Sequence, residues 1–109
     1  MKAFTDLNQS KKLAEILPLE SADMCWTPFD EKWDAYLGAP NPDAIKKEIP
    51  CWSLTALLGV LPYPYIDQNY KGKWTCRVEH GNTTYLWEDS NPIDACYEMI
   101  LKLHELNLL

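Results

Sequence analysis

Lys73-Trp74-Thr75-Cys76-Arg77-Val78-Glu79-His80-Gly81-Asn82-Thr83-Thr84-Tyr85-Leu86-Trp87 is the stretch that decides the fold class. From Lys73 to His80, Trp74, Cys76 and Val78 alternate with Lys73, Thr75, Arg77 and Glu79. A period of two marks a strand with one covered face. Gly81-Asn82 is a two-residue hairpin turn of the kind that tolerates positive φ. Closing the chain there sets Val78 opposite Tyr85 and Cys76 opposite Trp87, so one apolar face runs across both strands. Arg77, Glu79, Thr84 and Leu86 fall on the other face.

Upstream, Ala22 to Gly38 reads as a second hairpin with Asp30-Glu31 at its polar tip. A loop of Phe29 to Lys32 sets Pro28 opposite Trp33, Trp26 opposite Ala35 and Met24 opposite Leu37, all on one face. Asp23, Cys25, Thr27, Asp34 and Tyr36 take the opposite face. A slip of one residue would turn the aspartates inward, so the pattern itself favours this register.

Three helices flank these hairpins. Asp6 (or Thr5) and Gln9 have capping-box spacing, and the apolar period that follows predicts a helix over 6–17, stopped by Pro18. Ser53 is an N-cap, with Trp52 and Leu57 spaced as a hydrophobic staple. That second helix is short, weakened by Gly59 and stopped by Pro62. Asn91-Pro92-Ile93-Asp94 opens a third helix over 92–106, with Ile93, Cys96, Ile100 and Leu103 on its buried face. Ala39 to Pro50 reads as a loop with one helical turn at Asn41-Pro42-Asp43, and Pro62 to Gly72 as a second loop. The order α-β-β-α-β-β-α predicts an α+β fold: one four-stranded antiparallel sheet with three helices packed mainly on one face. Trp26, Trp33, Trp74 and Trp87 are all assigned to inward faces.

The 109 residues fit a single domain spanning 1–109. A hydrophobic fraction of 47% with five Trp excludes a disordered chain. The net charge of −6 and a single arginine, Arg77, argue against binding a nucleic-acid backbone. No apolar run approaches the roughly 20 residues that span a bilayer. Met1-Lys2 is followed by no apolar signal region, so the expected location is cytoplasmic. Cys25, Cys51, Cys76 and Cys96 lie far apart in sequence, and neither His80 nor His104 is near one of them. Free, packed thiols are expected, with no metal or other cofactor.

Three segments carry a resemblance: Leu19-Glu20-Ser21-Ala22-Asp23-Met24, Pro50-Cys51-Trp52-Ser53-Leu54-Thr55-Ala56-Leu57-Leu58, and Pro92-Ile93-Asp94-Ala95-Cys96-Tyr97-Glu98-Met99-Ile100. Over most of its length, and least over 27–49, the chain resembles a family of small uncharacterised proteins from gut-dwelling anaerobic bacteria. Its members are often carried on prophages and other mobile elements. The resemblance implies a genomic setting and no chemistry, and it carries over no catalytic residue.

The residues themselves hold no strong catalytic signature. Ser53 and Cys51 are nucleophile types, but Ser53 is already used as a cap and no triad-like set is visible. Glu88-Asp89 and Asp30-Glu31 sit at strand ends and tips, where solvated charge is ordinary. Two readings follow, and the first leans away from an enzyme. It is a non-enzymatic interaction protein that binds a protein partner or a second copy of itself. Tyr36, Arg77 and Leu86 are then its surface residues, on an open sheet face with Cys25, Thr75 and Thr84. The second is a ligand-binding domain or enzyme with a pocket between the second helix and the sheet, rimmed by Trp52 and Tyr63. Neither involves nucleic acid or membrane.

Overall fold

The computed structural model describes residues 2–29, 32–38 and 48–109. The hairpin tip Asp30-Glu31 and the helical turn expected at Asn41-Pro42-Asp43 lie outside the described residues. The elements are α1 (Leu7–Ala14), a 3₁₀ turn (Leu19–Ser21), β1 (Met24–Phe29), β2 (Lys32–Leu37), β3 (Ile49–Cys51), α2 (Leu54–Val60), β4 (Pro64–Gln68), β5 (Trp74–His80), β6 (Thr83–Asp89) and α3 (Pro92–Glu105).

The fold is α+β with three helices, and both hairpins form in the register that alternation predicts. Trp26 pairs with Ala35 and Pro28 with Trp33, while Cys76 pairs with Trp87 and Val78 with Tyr85. The single four-stranded sheet is corrected. There are two three-stranded antiparallel sheets, ordered β2-β1-β3 and β4-β5-β6. Each hairpin takes its third strand from a proline-bearing segment expected as loop. β3 lays Ile49, Pro50 and Cys51 against Trp26, Cys25 and Met24. β4 lays Pro64 to Gln68 against Val78 to Trp74. Both are edge strands, where a missing N–H is tolerated. The β3 ladder also ends at Trp26, two residues short of Pro28 in the central strand. The two hairpins therefore stand in separate sheets.

Side-chain caps start the helices. Asp6 Oδ1 accepts from the Gln9 N–H at 2.7 Å, and Gln9 Oε1 accepts from the Asp6 N–H at 3.1 Å, which completes the capping box. The helix is shorter than the expected 6–17, ending at Ala14 with Glu15 as its C-cap. Ser53 Oγ accepts from the Ala56 N–H, and Asn91 Oδ1 from the Asp94 N–H, with Pro92 at the first helical position.

The core lies where α3 covers one face of β5 and β6, with α2 and α1 packed beside it. Cys76 and Val78 of β5 meet Ile93, Cys96, Ile100 and Leu103 of α3, Leu57 of α2 and Leu13 of α1 in one buried cluster. Trp52 is the one tryptophan at its centre, fully buried, with its Nε1 donating to Ser21 Oγ at 3.0 Å. The inward placement of the other four is corrected in degree. Trp26, Trp33 and Trp74 are half-buried, and Trp87 on the edge strand β6 is 38% exposed. Trp52 apart, the core centre is aliphatic and thiol, and the other indole rings lie at its margins.

The first hairpin rests on the N-terminal segment and α1. Phe4 meets the Trp26 ring edge-to-face at 5.7 Å, and Trp26 Nε1 donates to Ser10 Oγ at 3.1 Å. Lys11 Nζ lies 6.0 Å from the Trp33 ring centre. The N-terminal segment is also tied to α3. Asp94 accepts from Lys2 Nζ at 2.9 Å, Gln9 Nε2 at 2.8 Å and Asn91 Nδ2 at 2.7 Å.

Candidate functional site

Alternation in β4–β5–β6 sends Ile66, Cys76 and Trp87 toward α3 and their neighbours outward. The outward face carries a register row that crosses the whole sheet: Tyr65 beside Arg77 beside Leu86. Tyr65 is 57% exposed and Leu86 58%. The next row places Glu79 beside Thr84. Tyr63, at the entrance to β4, is 86% exposed. Tyr63, Pro64, Tyr65, Arg77 and Glu79 together line an open groove of about 290 Å³.

Two features set this groove apart from an ordinary sheet face. The Arg77 guanidinium lies 5.4 Å from the centre of the Tyr65 ring, within cation–π range. Among the described residues Arg77 forms no ion pair with a carboxylate. Tyr63 has φ +45°, a left-handed conformation rarely adopted by a bulky residue. The proline that follows would ordinarily favour an extended backbone there. Strain of this kind costs about 1–2 kcal/mol and gathers at binding and active sites. The Tyr63 ring gains no burial in return.

The residues singled out from sequence are only partly brought together. Arg77 and Leu86 are adjacent in the row, and Tyr63 joins Arg77 in the groove. Tyr36 is about half exposed, but it lies on β2, in the other sheet. The single open face expected to hold Cys25, Tyr36, Thr75, Thr84 and Leu86 is therefore two faces on two sheets. Cys25 is buried, paired across the ladders with Tyr36 and Pro50. Trp52 has no exposed surface, so it rims no pocket with Tyr63. Tyr65 was missed because Pro62 to Gly72 reads as loop. The signal that finds it is the alternation of Tyr63, Tyr65 and Asp67 with Pro64, Ile66 and Gln68.

The nucleophile types are committed elsewhere. Ser53 donates its N–H to Asp23 Oδ1 at 2.9 Å and its hydroxyl to Asp23 Oδ2, while its oxygen caps α2. Cys51 is fully buried, and burial pushes its thiol pKa up. Burial does the same to Cys25. Cys76 and Cys96 are both fully buried in the core, where the neighbouring thiol and burial raise Cys96. All four thiols are free.

Comparison of the chain with protein-family models, curated proteins and solved structures finds no match to any of them.

Proposed function

We propose that this chain is a non-enzymatic, cytoplasmic interaction protein, an accessory factor of the kind carried on mobile elements, and that it works by covering the outward face of β4–β5–β6 with another protein surface. The observation that carries this reading is the exposed row Tyr65–Arg77–Leu86 beside the strained Tyr63. Tyr and Arg are the residue types that dominate binding energy at protein interfaces, because they combine large contact area with directional polar groups. Here they stand together on one sheet face. The resemblance of 19–24, 50–58 and 92–100 to mobile-element proteins supports the genomic setting.

A photo-crosslinking phenylalanine analogue at position 86 tests the reading in cells, with the same group at the exposed Lys102 of α3 as control. A discrete adduct to one protein, identified by mass spectrometry and formed at 86 but not at 102, is the expected result. Equal labelling at both positions, or none at 86, would overturn it.

A further inference from the structure

We infer that the surface which covers this face is a second copy of the same chain, docked about a two-fold axis that passes between Arg77 and Glu79. The inference rests on the interaction reading above and names its partner. A two-fold interface is isologous: one patch meets itself, so the patch must be complementary to its own rotated image. Arg77 and Glu79 stand two residues apart on β5 with side chains on one face, both lining the groove. Rotation about an axis between them sets Arg77 against Glu79 of the second copy, and Glu79 against its Arg77. The same rotation sets Tyr65 of one copy against Tyr63 of the other on the β4 side, and Leu86 against Thr84 on the β6 side.

Within this face, charge singles out the Arg77–Glu79 pair as the self-complementary point. A chain of net charge −6 repels its own copy across most approaches. The groove lining pairs one cation, Arg77, with one anion, Glu79, while Asp67 and Glu88 stand one row away on the same face. Its cation is the only arginine in the sequence. Arg77 Cζ lies 5.4 Å from the Tyr65 ring centre, and its guanidinium fork has the geometry to bind a carboxylate. Two antiparallel sheets stacked face to face sit about 10 Å apart, which leaves room for the tyrosine rings to interleave.

Charge exchange with mixing tests this. Sedimentation of the full chain from about 1 µM to about 1 mM reads the monomer–dimer equilibrium. The wild type reaches twice the 12.6 kDa chain mass. Arg77→Glu and Glu79→Arg, each carrying two like charges in the patch, remain monomeric alone and form a heterodimer when mixed. The double variant Arg77→Glu/Glu79→Arg dimerises again. Circular dichroism matching the wild type shows that each variant is folded. A wild type that is monomeric throughout overturns the inference, as does a dimer indifferent to both single changes. If the wild type is monomeric while position 86 crosslinks a different protein, the inference fails and the interaction reading stands. If position 86 crosslinks nothing, both fail.

Discussion

Arg77 and Tyr65 are ladder partners across β4 and β5, and the guanidinium lies 5.4 Å from the ring centre. The only arginine of an acidic chain is thus held on an exposed aromatic face and given no carboxylate of its own among the described residues. An exposed cation–π contact contributes about 0.5–1 kcal/mol. Arg77→Ala therefore lowers monomer stability by no more than about 1 kcal/mol. It weakens self-association by at least about tenfold, since 1.4 kcal/mol at the interface gives that factor. Chemical denaturation at low concentration and sedimentation at high concentration separate the two effects.

Tyr63 offers the opposite trade. Asn tolerates the left-handed backbone better than Tyr does. Tyr63→Asn is expected to raise monomer stability by about 0.5–1 kcal/mol. The same change removes an exposed ring from the groove and weakens association. Thermal unfolding at low micromolar chain reads the gain, and sedimentation reads the loss. A variant that is both less stable and fully associated contradicts this account of the strain.

Asp94 carries a pH signature. Burial pushes its carboxyl pKa up, but hydrogen bonds from Lys2, Gln9 and Asn91, with the Lys2 charge, outweigh burial and hold it below its ordinary 3.8. A carboxylate whose folded pKa is depressed contributes stability that is complete above the unfolded value and lost as pH falls through the folded one. The contribution is therefore whole at neutral pH and fades below pH 3.8. Lys2 is also raised: burial lowers it, and Asp94 and Asp6 more than compensate. Its contribution is complete below 10.5 and is lost as pH rises through the higher folded value. Asp94→Ala is expected to cost about 1–3 kcal/mol at pH 7. It also flattens the acid limb of the stability–pH curve, measured by denaturant titration at successive pH values.

Ser53 and Asp23 form a joint between β1 and α2. Ser53→Ala removes the cap of α2 and one Asp23 contact, at a cost of about 1–2 kcal/mol. Asp23→Ala removes both Asp23 bonds to Ser53. Because both single changes lose the Ser53 hydroxyl bond to Asp23, the double variant costs less than the sum of the singles, and a double-mutant cycle measures the difference.

Much of this architecture is legible in the sequence because local rules act alone there. Asp6, Ser53 and Asn91 cap as their spacing predicts, and both hairpins close in the register that alternation demands. What the sequence conceals lies at Pro50 and Pro64. Proline argues against a strand interior but is compatible with an edge, and only tertiary pairing shows that β3 and β4 are edges. Losing β4 merges two sheets into one and removes Tyr65 from view. Arg77 and Leu86 remain visible because they sit on the hairpin with the cleanest alternation. Trp52 misleads for a related reason: a staple residue beside a helix start looks exposed until the N-terminal segment folds over it. Thr5 closes that cover, donating its N–H to the Trp52 carbonyl at 2.9 Å and accepting the Trp52 N–H at 3.1 Å.

The outward face of β4–β5–β6 is tested most directly by amide chemical shifts in a dilution series of the ¹⁵N-labelled chain. Self-association through this face predicts concentration-dependent shifts at Tyr65, Arg77 and Leu86, with Tyr36 and Leu37 of β2 unmoved. Leu37 is the sharper control, since it is 87% exposed and lies on the other sheet. Shifts that gather at Tyr36 and Leu37, or a spectrum unchanged over the whole range, would contradict the account.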